Sequence, residues 1–338
     1  KVPPFMLDSS ADQVDEELRL KWRYLDLRRK NVQDRLKVRH NAVHEIRNFL
    51  HEQEFYEIET PILSKSTPEG AKDFLVPSSL QTGKFYALPQ SPQIYKQLLM
   101  SSGFDKYFQI ARCFRDEPIR SNRQLEFTQL DMEMSFVDES DIQTILEGLV
   151  KKVWKKFLDY DIPEALPQMT YKEAFENYGS DKPDVRFDMK IKDVEPLFQG
   201  LGIKFLDKVF EDGGRIGSVC VKNKTFSRSE LDKWVELAKQ EWGAKGLLYI
   251  HFKDDGIVST ISKFLPENFI ERAKSLFPDL ASGDTLFIVA DEYKTAWEVL
   301  GRLRLEFAKI LGLMDENKYE FLWVTDFPLL EWNEDDKR

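Results

Sequence analysis

The chain has 338 residues, of which 42% are hydrophobic and 32% charged, enough to bury two separate cores. A formal net charge of −10 excludes a protein that holds nucleic acid by bulk positive charge, though a local basic surface can still meet phosphates. No apolar run is long enough to cross a bilayer and no amino-terminal signal segment is visible, so the expectation is a cytoplasmic protein that engages no membrane.

The first 30 residues read as a lead-in segment. The most basic stretch, WRYLDLRRKNVQDRLKVRH (22–40), is either a solvated helix face or a surface for RNA. The chain starts at Lys1 and stops on the charged EWNEDDKR, and both ends are expected to be cut. Apolar positions at Leu36, Val43, Ile46 and Leu50 predict a helix over 33–53, followed by a strand over 55–59 that stops at Pro61. His40 and His44 have the spacing of metal ligands, but no nearby cysteine completes a set, so no metal site is expected. Ser91-Pro92 predicts a helix start with Ser91 as N-cap, and Gly103 is placed to end that helix. Gln93, Lys96 and Gln97 share one of its faces.

Residues 107–136, YFQIARCFRDEPIRSNRQLEFTQLDMEMSF, read as two strands joined by a charged loop. Period-2 alternation puts Leu130, Met132, Met134 and Phe136 on one face and Phe127, Gln129, Asp131, Glu133 and Ser135 on the other. The same parity carries Arg115 onto the polar face. Buried charges are costly unless paired, so this face reads as a site; the alternation alone fits equally well an antiparallel sheet with one face in water. Next comes an amphipathic helix with acids at its start, apolar Ile142, Ile145, Leu146, Leu149, Val153 and Phe157, and lysines at its end, to which no chemistry is assigned. From 187 the texture changes. Strands at 213–221, 245–252 and 284–291 alternate with helices near 228–242, 267–276 and 294–311, indicating a separate α/β unit. It contains no phosphate-binding fingerprint, metal cluster or nucleophile motif. Cys113 and Cys220 lie outside any motif and read as small buried apolar residues.

FRDE, a loop, and then RQLEFTQLDME resemble motif 2 of the class II aminoacyl-tRNA synthetases, in the form carried by the bacterial aspartyl branch. HNAVHEIRNFLHEQEFYEIETPIL (40–63) is similar to motif 1, STPEGAKDFLVPS (66–78) to the loop that closes over aspartate, and ALPQSPQIYKQLLM (87–100) to the amino-acid recognition helix. The resemblance implies an α/β (α+β) fold: an antiparallel sheet flanked by helices, with a second, inserted α/β domain. It implies a lead-in or hinge at 1–30, the first part of the catalytic domain at 31–186, the insert at 187–318 and a return strand at 319–338. The implied activity is aspartate–tRNA ligation, with ATP and Mg2+ as co-substrate and ion and the metal ligands outside this chain. The implied partners are L-aspartate, tRNA(Asp) or also tRNA(Asn), and a second copy in a homodimer, with Pro61 at the dimer interface.

Carried over residue by residue, Arg115 is the catalytic residue, on the α-phosphate, and belongs to both substrate sites. Glu69, Ser91, Gln93, Lys96 and Asp131 hold aspartate, with Lys96 on its side-chain carboxylate and Asp131 and Gln93 on its ammonium. Asp116, Glu117, Gln124 and Phe127 hold ATP, the ring of Phe127 stacking on adenine. Motif 3 and an anticodon-binding barrel are absent between Lys1 and Arg338, so the chain is expected to carry only part of an active site. The alternatives are a noncatalytic synthetase-like regulator that binds a nucleotide, amino acid or RNA, or a class II synthetase for asparagine or lysine.

Overall fold

Alternation in the 107–136 hairpin produces a sheet whose two faces differ in character. In the computed structural model, residues 3–8, 12–67, 69–120 and 122–330 are described; the expected charged tail (331–338) and parts of the lead-in lie outside them. Contacts divide the chain into two compact units, Lys1–Pro163 and Glu164–Arg338.

In the first unit, α1 (Glu16–Lys21) and α2 (Arg23–Asp26) precede α3 (Lys30–Glu52), β1 (Tyr56–Glu57), the antiparallel pair β2 (Leu75–Pro77) and β3 (Phe85–Ala87), α4 (Gln93–Ser101), β4 (Lys106–Phe114), β5 (Glu126–Met134) and α5 (Glu139–Leu158). β4 is central in a three-stranded sheet, parallel to β1 and antiparallel to β5. The register sets Tyr107 opposite Glu133, Gln109 opposite Asp131 and Cys113 opposite Phe127. Phe108, Leu130, Met132 and Met134 point to the other face, where they pack on Phe49 and Leu50 of α3, Phe55 and Leu149 of α5. Phe108 and Leu50 are fully buried, and a side chain buried to that extent contributes roughly 1.5–3 kcal/mol. A capping box at Asp138 and Asp141 starts α5, as its acidic opening leads one to expect.

Three local expectations need correction. The strand expected over 55–59 is only Tyr56–Glu57, because pairing with β4 ends after Glu57 and Phe108. Leu36, expected on the packed face of α3, is 51% exposed; the helix joins the apolar core from Ile46 onward. Ser91 does not cap α4: the N-cap is Pro92, with no side-chain cap, because the Ser91 hydroxyl is engaged by Glu69. Gly103 does sit just past the end of α4, at φ +90°, a conformation that glycine adopts without a Cβ penalty. In the basic stretch, Arg23 and Arg29 both close on the buried carboxylate of Asp26 and Arg29 also reaches Asp12, so part of its charge is neutralised internally.

The second unit runs β6 (Gln168–Thr170), α6 (Tyr171–Tyr178), β7 (Lys192–Asp193), α7 (Glu195–Phe198), α8 (Lys204–Glu211), β8 (Arg215–Val221), α9 (Arg228–Gln240), β9 (Leu248–Lys253), β10 (Gly256–Val258), α10 (Phe269–Leu276), β11 (Thr285–Asp291), α11 (Tyr293–Ile310) and β12 (Trp323–Thr325). Strand–helix alternation does not produce a parallel sheet here: in the order β10-β9-β11-β8-β7 every pairing is antiparallel. Both faces are covered, which explains the continuous apolar run of β11. Phe287 and Val289 face Trp297, Leu300, Leu303 and Phe307 of α11, while Leu286 and Ile288 face Phe198, Leu206 and Phe269 of α7, α8 and α10.

Contacts also draw 164–186 into this unit, ahead of the change of texture at 187. The Trp297 indole donates to the Glu176 carbonyl at 2.8 Å, and the buried Arg304 guanidinium donates to the carbonyls of Asp184, Phe187 and Met189. α6 ends against α11 at two glycines: a Cβ on Gly179 would lie 2.0 Å from the Trp297 carbonyl oxygen, and one on Gly301 2.6 Å from that of Tyr178. After the five-stranded sheet the chain comes back to pair β12 in parallel with β6.

Candidate active site

On the sheet face turned away from α3 and α5, β4 presents Tyr107, Gln109, Ala111 and Cys113, and β5 presents Phe127, Gln129, Asp131 and Glu133. α4 packs on this face and delivers Lys96, whose ammonium lies 3.3 Å from Asp131 Oδ1 and 3.1 Å from Glu133 Oε2. Gln129 Nε2 donates to Asp131 Oδ2 at 3.1 Å. Burial pushes the Asp131 carboxyl above its ordinary range and Glu133 adds to this, against the opposing pull of Lys96 and Gln129. Burial likewise raises the Tyr107 phenol, and pushes the Cys113 thiol up to about 11. With both of those groups neutral, this part of the face carries one cation between two carboxylates. It can accept an ammonium and present a cation to an anionic side chain.

Toward the hairpin loop, the Arg115 guanidinium sits 5.0 Å from the Phe127 ring centroid. The Arg115 N–H donates to the Leu125 carbonyl at 2.9 Å, which closes the loop behind it. Arg115 makes no ion pair among the described residues, leaving a planar donor fork for an anion. Glu117 pairs with Arg123 at 3.3 Å across the loop.

A third group comes from the segment before β2. Glu69 accepts from the hydroxyls of Ser91 at 2.6 Å and Thr67 at 3.0 Å. Gln90, 1% exposed, meets Ala71 through both halves of its amide and donates to Asp73 at 2.6 Å. The Asp116 N–H donates to the Lys72 carbonyl at 3.0 Å, tying the same segment to the start of the hairpin loop.

The structure thus places Lys96 directly on Asp131, Ser91 on Glu69, and Arg115 beside Phe127. Gln93 lies in the first turn of α4, half-buried, while Asp116 and Gln124 are exposed in or beside the loop. Pro61 is exposed past the end of β1. Glu133, Gln129 and Gln90 are functional candidates that sequence reasoning did not assign. For Glu133 and Gln129 the signal was present, since both share the parity of Asp131. Gln90 carried no such signal, because its partners lie 17 and 19 residues away across a loop. Among the described residues no group of three or more His, Cys, Asp or Glu could hold a metal ion.

The second unit has a cavity of about 1040 Å³ around Tyr171, Glu176, Arg215, Tyr293 and Arg304. Its Arg215 is committed to Glu176 and Asp193 and packed against Tyr293 and Trp297, and its Arg304 to three carbonyls, so these cations serve the fold.

The family description "tRNA synthetases class II (D, K and N)" matches residues 15–336. An aspartate–tRNA ligase of Staphylococcus carnosus (strain TM300) is 48% identical over 340 aligned residues, covering 100% of this chain and 58% of the relative. Aspartate–tRNA(Asp/Asn) ligases of Endomicrobium trichonymphae and Hydrogenobaculum sp. (strain Y04AAS1) are 49% and 50% identical, each over 99% of this chain and 57% and 56% of their own lengths. The chain therefore spans less than three fifths of the curated relatives it matches.

Proposed function

The chain belongs to the class II tRNA synthetases of the D, K and N group, and from that premise we propose that it forms the aspartate- and ATP-binding part of an aspartate–tRNA ligase. The observation that carries the reading is Lys96 held between Asp131 and Glu133 on the face that also bears Arg115 and Phe127. Aspartate has an α-ammonium, which needs acceptors such as Asp131, and a side-chain carboxylate, which needs a cation such as Lys96. A lysine substrate would bring a second cation toward Lys96, and asparagine would offer it a neutral amide in place of a carboxylate.

In the first step the α-carboxylate of aspartate attacks the α-phosphorus of ATP. A carboxyl–phosphate bond forms and the bond to pyrophosphate breaks. The nucleophile is already ionised, so no general base is required; positioning and stabilisation of phosphoryl charge supply the catalysis. Arg115 offers a two-donor fork to the α-phosphate and the Phe127 ring a stacking face to adenine. Asp116, Glu117 and Gln124 line the ATP side; Gln93, Ser91 and Glu69 complete the aspartate side. A hydroxyl of the 3′-terminal adenosine of tRNA then takes the aspartyl group and AMP leaves.

Mg2+ accompanies ATP as the counter-ion of its phosphates. The exposed apolar side chains of Leu36 and Val38 on α3 and the exposed Pro61 support a homodimer. Residues 187–318 are read as an insert between the two parts of the catalytic domain, and the chain as cytoplasmic; no helix of the described residues is long and apolar enough to cross a membrane.

The test is ATP–pyrophosphate exchange by the full-length protein with aspartate, asparagine and lysine supplied separately. Exchange with aspartate alone is expected; exchange with another amino acid alone overturns the specificity, and none at all overturns the activity. Because two relatives carry the tRNA(Asp/Asn) name, charging of both tRNAs belongs in the same experiment.

A further inference from the structure

We propose that Gln90 is a positioning residue that fixes the segment carrying Glu69 over the amino-acid pocket; the proposal rests on the reading of that pocket given above. Gln90 precedes α4 and is 1% exposed. Its amide orientation is unambiguous, because the Ala71 N–H can only donate: Gln90 Oε1 accepts from it at 3.1 Å, so Nε2 is the group that donates to the Ala71 carbonyl at 2.8 Å and to Asp73 Oδ1 at 2.6 Å. One side chain thereby imitates a neighbouring strand for Ala71 and holds a carboxylate as well. Asp73 is engaged a second time by the Ser66 hydroxyl.

What lies on either side of this anchor gives it its role. Two residues before Ala71, Glu69 receives the hydroxyl of Ser91, the residue next to Gln90. One residue after it, the Lys72 carbonyl receives the N–H of Asp116, beside Arg115, while the Pro89 carbonyl receives that of Phe114. Gln90 therefore sits where the segment over the pocket, the start of the recognition helix and the end of β4 are joined. It touches no substrate group in this arrangement and acts through Glu69 and the 115–116 backbone. A substitute that lacks a donor leaves the Ala71 carbonyl and Asp73 either unpaired or facing a further acceptor.

The experiment uses the full-length protein with Gln90→Glu, Asp73→Asn and the double variant. The carboxylate of Gln90→Glu keeps the contact from the Ala71 N–H but opposes both the Ala71 carbonyl and Asp73. We expect KM for aspartate to rise on the order of tenfold to a hundredfold, with kcat at saturating aspartate and KM for ATP changed by less than about threefold. The double variant restores a donor at position 73 but not one for the Ala71 carbonyl, and should recover part of the loss. A second readout needs no activity: limited trypsin cleavage after the exposed Lys72 should quicken in Gln90→Glu and slow again in the double variant. Unchanged KM for aspartate together with unchanged cleavage at Lys72, or no recovery in the double variant, overturns the proposal. If wild type fails to exchange with aspartate, the functional reading falls, and the cleavage series alone then decides whether Gln90 anchors the segment. Should Gln90→Glu not fold, Asp73→Asn alone, which keeps the amide and weakens one of its contacts, is expected to raise KM a few-fold and to quicken cleavage modestly; no change in either overturns the proposal.

Discussion

Replacing Lys96 by methionine would leave Asp131 and Glu133 facing one another without a cation. Removing one partner of a buried ion pair costs about 3–5 kcal/mol. The Glu133 side chain is 32% exposed, so solvent absorbs part of the penalty and we expect about 2–3 kcal/mol of lost stability. The substrate carboxylate loses its counter-charge as well, which at roughly 3 kcal/mol lowers kcat/KM for aspartate on the order of a hundredfold. The pH dependence follows from Asp131, whose folded carboxyl already lies above its ordinary value of 3.8, chiefly through burial. Without Lys96 both influences that pull it down from that side chain disappear, and it rises further. A carboxyl raised in the folded state keeps a proton that the unfolded chain releases, so its contribution to stability falls as pH climbs from 3.8 through the raised folded value. The deficit of Lys96→Met should therefore be largest near neutrality and shrink on acidification. Urea unfolding of both proteins at about pH 5 and about pH 8, with exchange measured against aspartate concentration, reads both effects. An unchanged KM for aspartate, or a deficit that does not vary with pH, would refute the reasoning.

Phe127→Ala removes the stacking face and the partner of Arg115; KM for ATP in exchange should rise by the ~1–3 kcal/mol that base stacking contributes, with KM for aspartate little changed. Gly179→Ala places a Cβ 2.0 Å from the Trp297 carbonyl at a φ of +65°, and should lower stability by about 2–4 kcal/mol in thermal melting without altering the exchange specificity. Burial foremost raises the Cys113 and Cys220 thiols to about 11 and about 12, so mass spectrometry should find neither alkylated by iodoacetamide in native protein near neutral pH, and both alkylated after denaturation.

What could be read from the chain depended on how far apart the interacting residues lie. The polar face of β5 was legible because alternation is a property of consecutive residues: Phe127, Gln129, Asp131 and Glu133 share it by parity, and the register with β4 follows from the hairpin. Lys96 was legible as a face of a helix and, through the resemblance, as a pocket residue. Its second carboxylate, Glu133, was in phase but received no role, since pairing to α4 is a tertiary fact. The Ser91 cap was misjudged for the same reason: a local rule offered its hydroxyl to the helix, and Glu69, 22 residues away, took it. The all-antiparallel sheet of the second unit was hidden because strand–helix alternation describes order along the chain and not the direction in which each strand re-enters.

β6 and β12 lie side by side, with the Trp323 N–H donating to the Pro167 carbonyl at 2.9 Å. Everything from Tyr171 to Leu322 thus departs from and returns to nearly the same point. For the strand pair, that whole stretch is one long loop, and the entropy of closing a loop grows only with the logarithm of its length. Lengthening or shortening the excursion therefore changes the closure cost of the strand pair only slightly.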